Sequence, residues 1–122
     1  MKISSLHVFL VLITAFGLIA CVPAKSIQEL NPGVTFMGKS EVTEFLNGAR
    51  LDGPNAIVTY NESGTATFNR KKDGKIVNAS WKVADDGKVT VLRPGKTDYY
   101  YFSTDNKTIY MPNGSVVSYT KL

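Results

Sequence analysis

Only two side chains in this 122-residue sequence could serve as an imidazole base or a thiolate nucleophile, His7 and Cys21, and both fall near the N-terminus. Nucleophilic catalysis of the Ser/His/Asp or Cys/His kind needs nucleophile and base within hydrogen-bond reach. A zinc site needs several Cys, His or carboxylate ligands converging on one point. The rest of the chain offers hydroxyls, carboxylates and cations. Asp52, Asp73, Asp85, Asp86, Asp98 and Asp105 fall in or beside segments rich in Gly, Asn and Pro, where aspartate accepts hydrogen bonds from its own backbone. Their spacing suggests neither the paired carboxylates of a glycosidase nor the ligand set of a calcium loop. The sequence therefore predicts a protein that is not an enzyme and holds neither metal nor cofactor.

Two groups of residues could recognise a partner instead. Arg70, Lys71, Lys72 and Lys75 place four cations around one expected hairpin tip. They could grip phosphate or an acidic surface, or merely solvate a turn and discourage edge pairing. Tyr99, Tyr100, Tyr101 and Phe102 are consecutive, and on a strand they alternate between faces. Tyr99 and Tyr101 share one face, Tyr100 and Phe102 the other, so one pair belongs in the core. The other is exposed, covered by a helix, or free for a partner, and tyrosine is common at recognition surfaces. Nothing in the sequence points to nucleic acid.

The first residues have a chemistry of their own. Lys2 precedes an apolar run from Val8 to Ala20, 13 residues long, which suits a signal peptide and is short of the roughly 20 residues of a spanning helix. The run ends in Leu18, Ile19, Ala20 and Cys21, the sole cysteine. A lone thiol in an exported chain has no disulfide partner within it. This ending resembles the lipobox of bacterial lipoproteins. The resemblance implies removal of residues 1–20 and attachment of diacylglycerol and an acyl chain, such as palmitate, to Cys21. It also implies a place in the cell envelope, and Val22 rather than aspartate after the cysteine resembles the outer-membrane sorting pattern, facing the periplasm, of Gram-negative cells. Loss of Lys2 with the leader takes the formal charge from +4 to +3, a mild basic bias compatible with anionic lipid or an acidic partner.

What must position these residues is one domain, with 43% hydrophobic and 20% charged residues, a foldable composition. Residues 21–38 read as the lipidated cysteine and a tether, broken by Pro23, Pro32, Gly33 and Gly38, and residues 39–122 as the domain. A short helix is predicted with Ser40 as N-cap, Glu41 and Glu44 in its first turn and Gly48 past its end. Val42, Phe45, Leu46 and Ala49 form its apolar stripe. From Asn55 the period becomes two, with a turn signal roughly every ten residues. Strands are predicted over 56–60, 65–70, 75–83, 88–93, 97–103, 107–111 and 115–120, an antiparallel meander. In the third, Val77, Ala79, Trp81 and Val83 face the core and Asn78, Ser80 and Lys82 face water. Seven short strands hide their edges by curling into a small barrel or strongly curved sheet with the helix at one end.

The stretch from Phe36 to Gly48, the Thr59–Thr65 hairpin and the tryptophan strand from Ala79 to Gly87 resemble a group of small exported proteobacterial proteins of unknown function. Those proteins often carry a cysteine after the tryptophan strand, where this chain has Val91 and Leu92. The resemblance implies the fold and no activity. The expected function is that of a lipid-anchored envelope protein binding another envelope component, a protein foremost. The alternatives are a periplasmic inhibitor or immunity protein against a cell-wall hydrolase, and a carrier of a small apolar ligand. A strand-lined cavity of roughly several hundred Å³ would favour the carrier.

Overall fold

The structure is a computed structural model that describes residues 25–122; the leader, Cys21 and the first residues of the expected tether lie outside the described residues. Two short helices, α1 (Ile27–Leu30) and α2 (Lys39–Leu46), precede nine strands. The strands are β1 (Arg50–Asp52), β2 (Ala56–Tyr60), β3 (Thr65–Arg70), β4 (Ile76–Val83), β5 (Val89–Arg93), β6 (Lys96–Phe102), β7 (Thr108–Tyr110), β8 (Val116–Ser118) and β9 (Thr120–Lys121). All pair antiparallel in a single sheet, β8-β7-β6-β5-β4-β3-β2-β1-β9.

That order runs through consecutive hairpins and then meets itself. β8 pairs with β7, and after one intervening residue, Tyr119, β9 pairs with β1 at the far edge. The Tyr119 amide donates to the Lys107 carbonyl at 2.9 Å, and the Leu122 amide to the Arg50 carbonyl at 2.9 Å. One bent strand thus bridges both edges and nearly closes the sheet into a barrel. Closure removes the unpaired edges that would otherwise template aggregation.

The turns follow one device. A side-chain oxygen of Asp73, Asp86, Asp105 or Asn113 accepts the amide two residues on, from Lys75, Lys88, Lys107 and Ser115 respectively. This is local capping of the kind aspartate and asparagine favour. Gly87 has a stricter role. Its φ is +89°, and a Cβ there would stand 2.3 Å from the Met37 carbonyl oxygen, so the β4–β5 turn is pressed against the segment entering α2.

Two ends result. The β2–β3, β4–β5 and β6–β7 turns lie at the end that α2 plugs. There the Tyr60 amide donates to the Ala49 carbonyl at 2.8 Å, the Met37 amide to the Phe102 carbonyl at 2.8 Å, and Lys39 reaches Asp85 at 3.3 Å. Val42 and Leu46, fully buried, join Tyr60, Trp81, Val89, Val91, Phe102 and Tyr119 in one core. Trp81 is 8% exposed, stacks edge-on with Tyr60 at 5.5 Å and donates from Nε1 to the Asn61 carbonyl at 3.0 Å. At the opposite end lie the turns of residues 53–55, 71–75, 94–95 and 111–115, with α1 beside the last of them.

Three expectations need correction. The N-cap of α2 is Gly38, not Ser40: its carbonyl accepts the Val42 amide at 3.0 Å, so the helix starts two residues early, at Lys39. The expected tether holds α1, closed by a capping box between Ser26 and Glu29, and its last residues are packed, Met37 being 3% exposed. Asp98 is not in turn chemistry; it points into the barrel from β6 and is 7% exposed.

Candidate ligand-binding cavity

Inside a half-closed barrel, the inward residues of each strand either fill the lumen or leave room for a small ligand. Here α2 fills one half and the other stays open. A cavity of about 900 Å³ runs from the turns at residues 53–55, 71–72 and 94 inward to Tyr60 and Tyr119. Its walls are mostly apolar: Leu51, Val58, Phe68, Val77, Ile109, Met111 and Val117. Period-two alternation explains the set, since Val58 opposes Phe68 and Phe68 opposes Val77 across the β2–β3–β4 ladder.

One group of polar side chains in this lumen comes from β5 and β6. Val89, Val91 and Arg93 share the inner face of β5, and Asp98 and Tyr100 that of β6, with Val91 opposite Asp98. The Asp98 Oδ2 accepts from the Arg93 guanidinium at 2.5 Å and from the Tyr100 hydroxyl at 3.3 Å, while Lys96 Nζ lies 3.9 Å from Oδ1. Arg93 also lies over the Phe68 ring, 4.9 Å from its centroid. Two buried atoms on the lining lack a protein partner, Arg93 Nε and the Tyr119 hydroxyl. Burying an ion pair in an apolar lumen gains little stability over a hydrophobic pair of the same volume. Departures of this kind from a consistent core are expected at functional sites.

Burial sets the tyrosine chemistry. It pushes Tyr60 and Tyr119 well above the usual phenol range. Tyr100 is pushed up to about 12, by burial first and then by the adjacent Asp98 carboxylate. All three hydroxyls are therefore protonated donors around neutrality.

The structure divides the residues singled out by sequence. Arg70, Lys71, Lys72 and Tyr100 come together on the cavity. Arg70 pairs with Asp73 at 3.3 Å and Lys71 with Asp52 at 2.5 Å; Lys75 is exposed in the same turn. Phe102 is 1% exposed and belongs to the core. Tyr99 and Tyr101 face outward. Tyr99 is 42% exposed beside Lys88, and Tyr101 is half-buried against the Phe36 ring, 6.1 Å between centroids. Cys21 lies outside the described residues. Sequence reasoning missed Arg93, Lys96 and Asp98, although the alternation that places Val89 and Val91 inward carries Arg93 with them, and that of Tyr100 carries Asp98.

No protein-family model matches this chain, and no curated protein or solved structure is significantly similar to it.

Proposed function

We propose that this protein is a non-catalytic, lipid-anchored component of the cell envelope whose barrel binds a small, largely apolar ligand. The observation that carries the reading is the cavity of about 900 Å³, walled by inward apolar side chains and plugged at one end by α2. Its size lies within the roughly 300–1,000 Å³ of ligand sites, and its lining has their composition, apolar walls with a few convergent polar groups. The leader and Cys21 supply the anchoring part of the reading.

Two measurements test it. Dodecanol should bind the wild-type protein in a titration followed by calorimetry. Val58→Trp, which fills the lumen at mid-wall, should abolish binding while circular dichroism and thermal melting still report a folded barrel. Equal binding by the filled variant would sink the cavity reading. Separately, Cys21→Ser should release the protein from membranes during carbonate extraction; retention like that of the wild type would sink the anchor.

A second reading, binding of an envelope protein, draws support from Tyr99, exposed and held under Lys88 on the outer face. Tyr99→Ser should then weaken partner capture by more than about tenfold, with no change in melting.

A further inference from the structure

The open end of the barrel differs from the rest of the surface in charge. Arg70, Lys71, Lys72, Lys75, Arg93 and Lys96 stand there with Asp52, Asp73 and Asp98. The other described residues hold seven cations and seven carboxylates. The whole net charge of residues 25–122 is thus concentrated at one rim.

The same rim carries apolar side chains turned to solvent. Ile76 follows the turn at 71–75 and is 54% exposed, and Val116 follows the turn at 111–115 and is 56% exposed. Leu92, 45% exposed, stands just before the turn at 94–95. Leu30 of α1, 47% exposed, completes the set, because α1 lies beside the β7–β8 turn: Leu30 and Asn31 share a crevice with Met111, Gly114 and Val116. Four of the six large hydrophobics exposed among the described residues therefore stand toward the open end, three of them on the outer face of the sheet and Leu30 on α1.

The chain also enters from this side. Lys25 precedes the Ser26 cap of α1, and the residues from Cys21 to Lys25 span at most about 14 Å of extended chain. An acyl group on Cys21 would hold the mouth close to the lipid, not the plugged end.

We propose that the open rim is a docking surface for an anionic bilayer, so that the barrel's mouth faces the membrane and the cavity takes an anionic amphiphile from it. Cations beside exposed aliphatic side chains are what an interfacial surface requires. The charges are drawn to anionic headgroups, and the apolar side chains enter the headgroup–acyl boundary. A ligand drawn in tail first would lay its chain along Val58, Phe68 and Val77 and leave its headgroup among Arg70, Lys72, Arg93 and Lys96. The inference rests on the cavity being a binding site, and its test is separable from that reading.

The test uses the chain from residue 21 to 122 carrying Cys21→Ser, so that neither the apolar leader nor an acyl anchor masks docking. Sedimentation with phosphatidylglycerol-containing vesicles is compared with pure phosphatidylcholine vesicles. The anionic vesicles should capture the protein more strongly, and capture should fall as salt rises. Adding Lys72→Glu and Lys96→Glu at the rim should weaken that capture by at least about tenfold. Lys82→Glu, on the outer face of β4 away from the rim, should leave it nearly unchanged. Equal capture by both vesicle types, or equal loss from the Lys82 and rim variants, would overturn the proposal. Dodecanol binding in solution, measured on the same proteins, reports the cavity alone: a parent protein that binds dodecanol yet is not captured by anionic vesicles removes the inference and spares the cavity.

Discussion

At the scale of single residues, Asp98 is the side chain whose surroundings demand most. Its carboxylate is buried between Arg93, Lys96 and Tyr100, and removing one member of such a pair leaves the other uncompensated. Asp98→Ala should cost about 3–5 kcal/mol in denaturant unfolding. The double replacement Arg93→Met with Asp98→Leu should recover most of that, since an apolar pair of similar volume packs without desolvating charge. A double variant as unstable as the single one would mean that the pair, and not its broken half, holds the barrel together. Asp105 shows the opposite arrangement, a carboxylate served from all sides. Desolvation opposes its charge, but hydrogen bonds from the Ser103 and Thr108 hydroxyls and the Lys107 and Thr108 amides hold it down to about 2. Its folded pKa lies below the ordinary 3.8, so its contribution is complete above that value and is lost as pH falls toward 2. Asp105→Asn should flatten the acid limb of stability against pH, read from melting temperatures across that window.

At the scale of elements, the strands were legible and their exceptions are instructive. All seven expected strands are present within a residue or two of their predicted bounds, because alternation and turn residues act locally. β1 was not legible: the three residues Arg50–Asp52 cannot display a period, and only Leu51 among them is buried. α1 carried a readable signal, serine followed three residues later by glutamate, but its four residues bury nothing and show no stripe. The inward charges escaped for a different reason. Asp98 lies close to the Pro94 and Gly95 turn, where aspartate ordinarily serves the backbone, and only the parity of the strand sends it inward. Turn glycines separate by environment. Gly87→Ala must move the Met37 carbonyl and should destabilise by more than about 3 kcal/mol. Gly95→Ala, with φ +74° and open space around it, should cost only the left-handed strain, about 1–2 kcal/mol. Equal losses in thermal unfolding would mean that the close approach at Gly87 contributes nothing.

At the scale of the whole molecule, three phenols hold the interior to one protonation state. Tyr60, Tyr100 and Tyr119 all have pKa values raised above the ordinary 10.0, with Tyr100 at about 12. A raised folded pKa stabilises fully below the unfolded value and is lost as pH climbs through the folded one. The barrel should therefore keep its stability up to about pH 10 and lose it steeply above. Tyrosinate absorbance from these residues should rise together with loss of the circular dichroism signal. Ionisation of every tyrosine well before unfolding would contradict the burial that sets these values.

The bent strand that joins the two edges has a consequence in time. β1 and β7 lie on opposite edges until residues 116–121 reach them, and those residues are synthesised after every other strand. Pairing β9 with β1 closes a loop of some seventy residues, a slow step because its entropy is spent before the contact repays it. Hairpins can form and dissolve during synthesis, but the barrel cannot lock until its closing strand is available. Such a polypeptide stays threadable while it is being made, and becomes a locked barrel only once its last strand is in place.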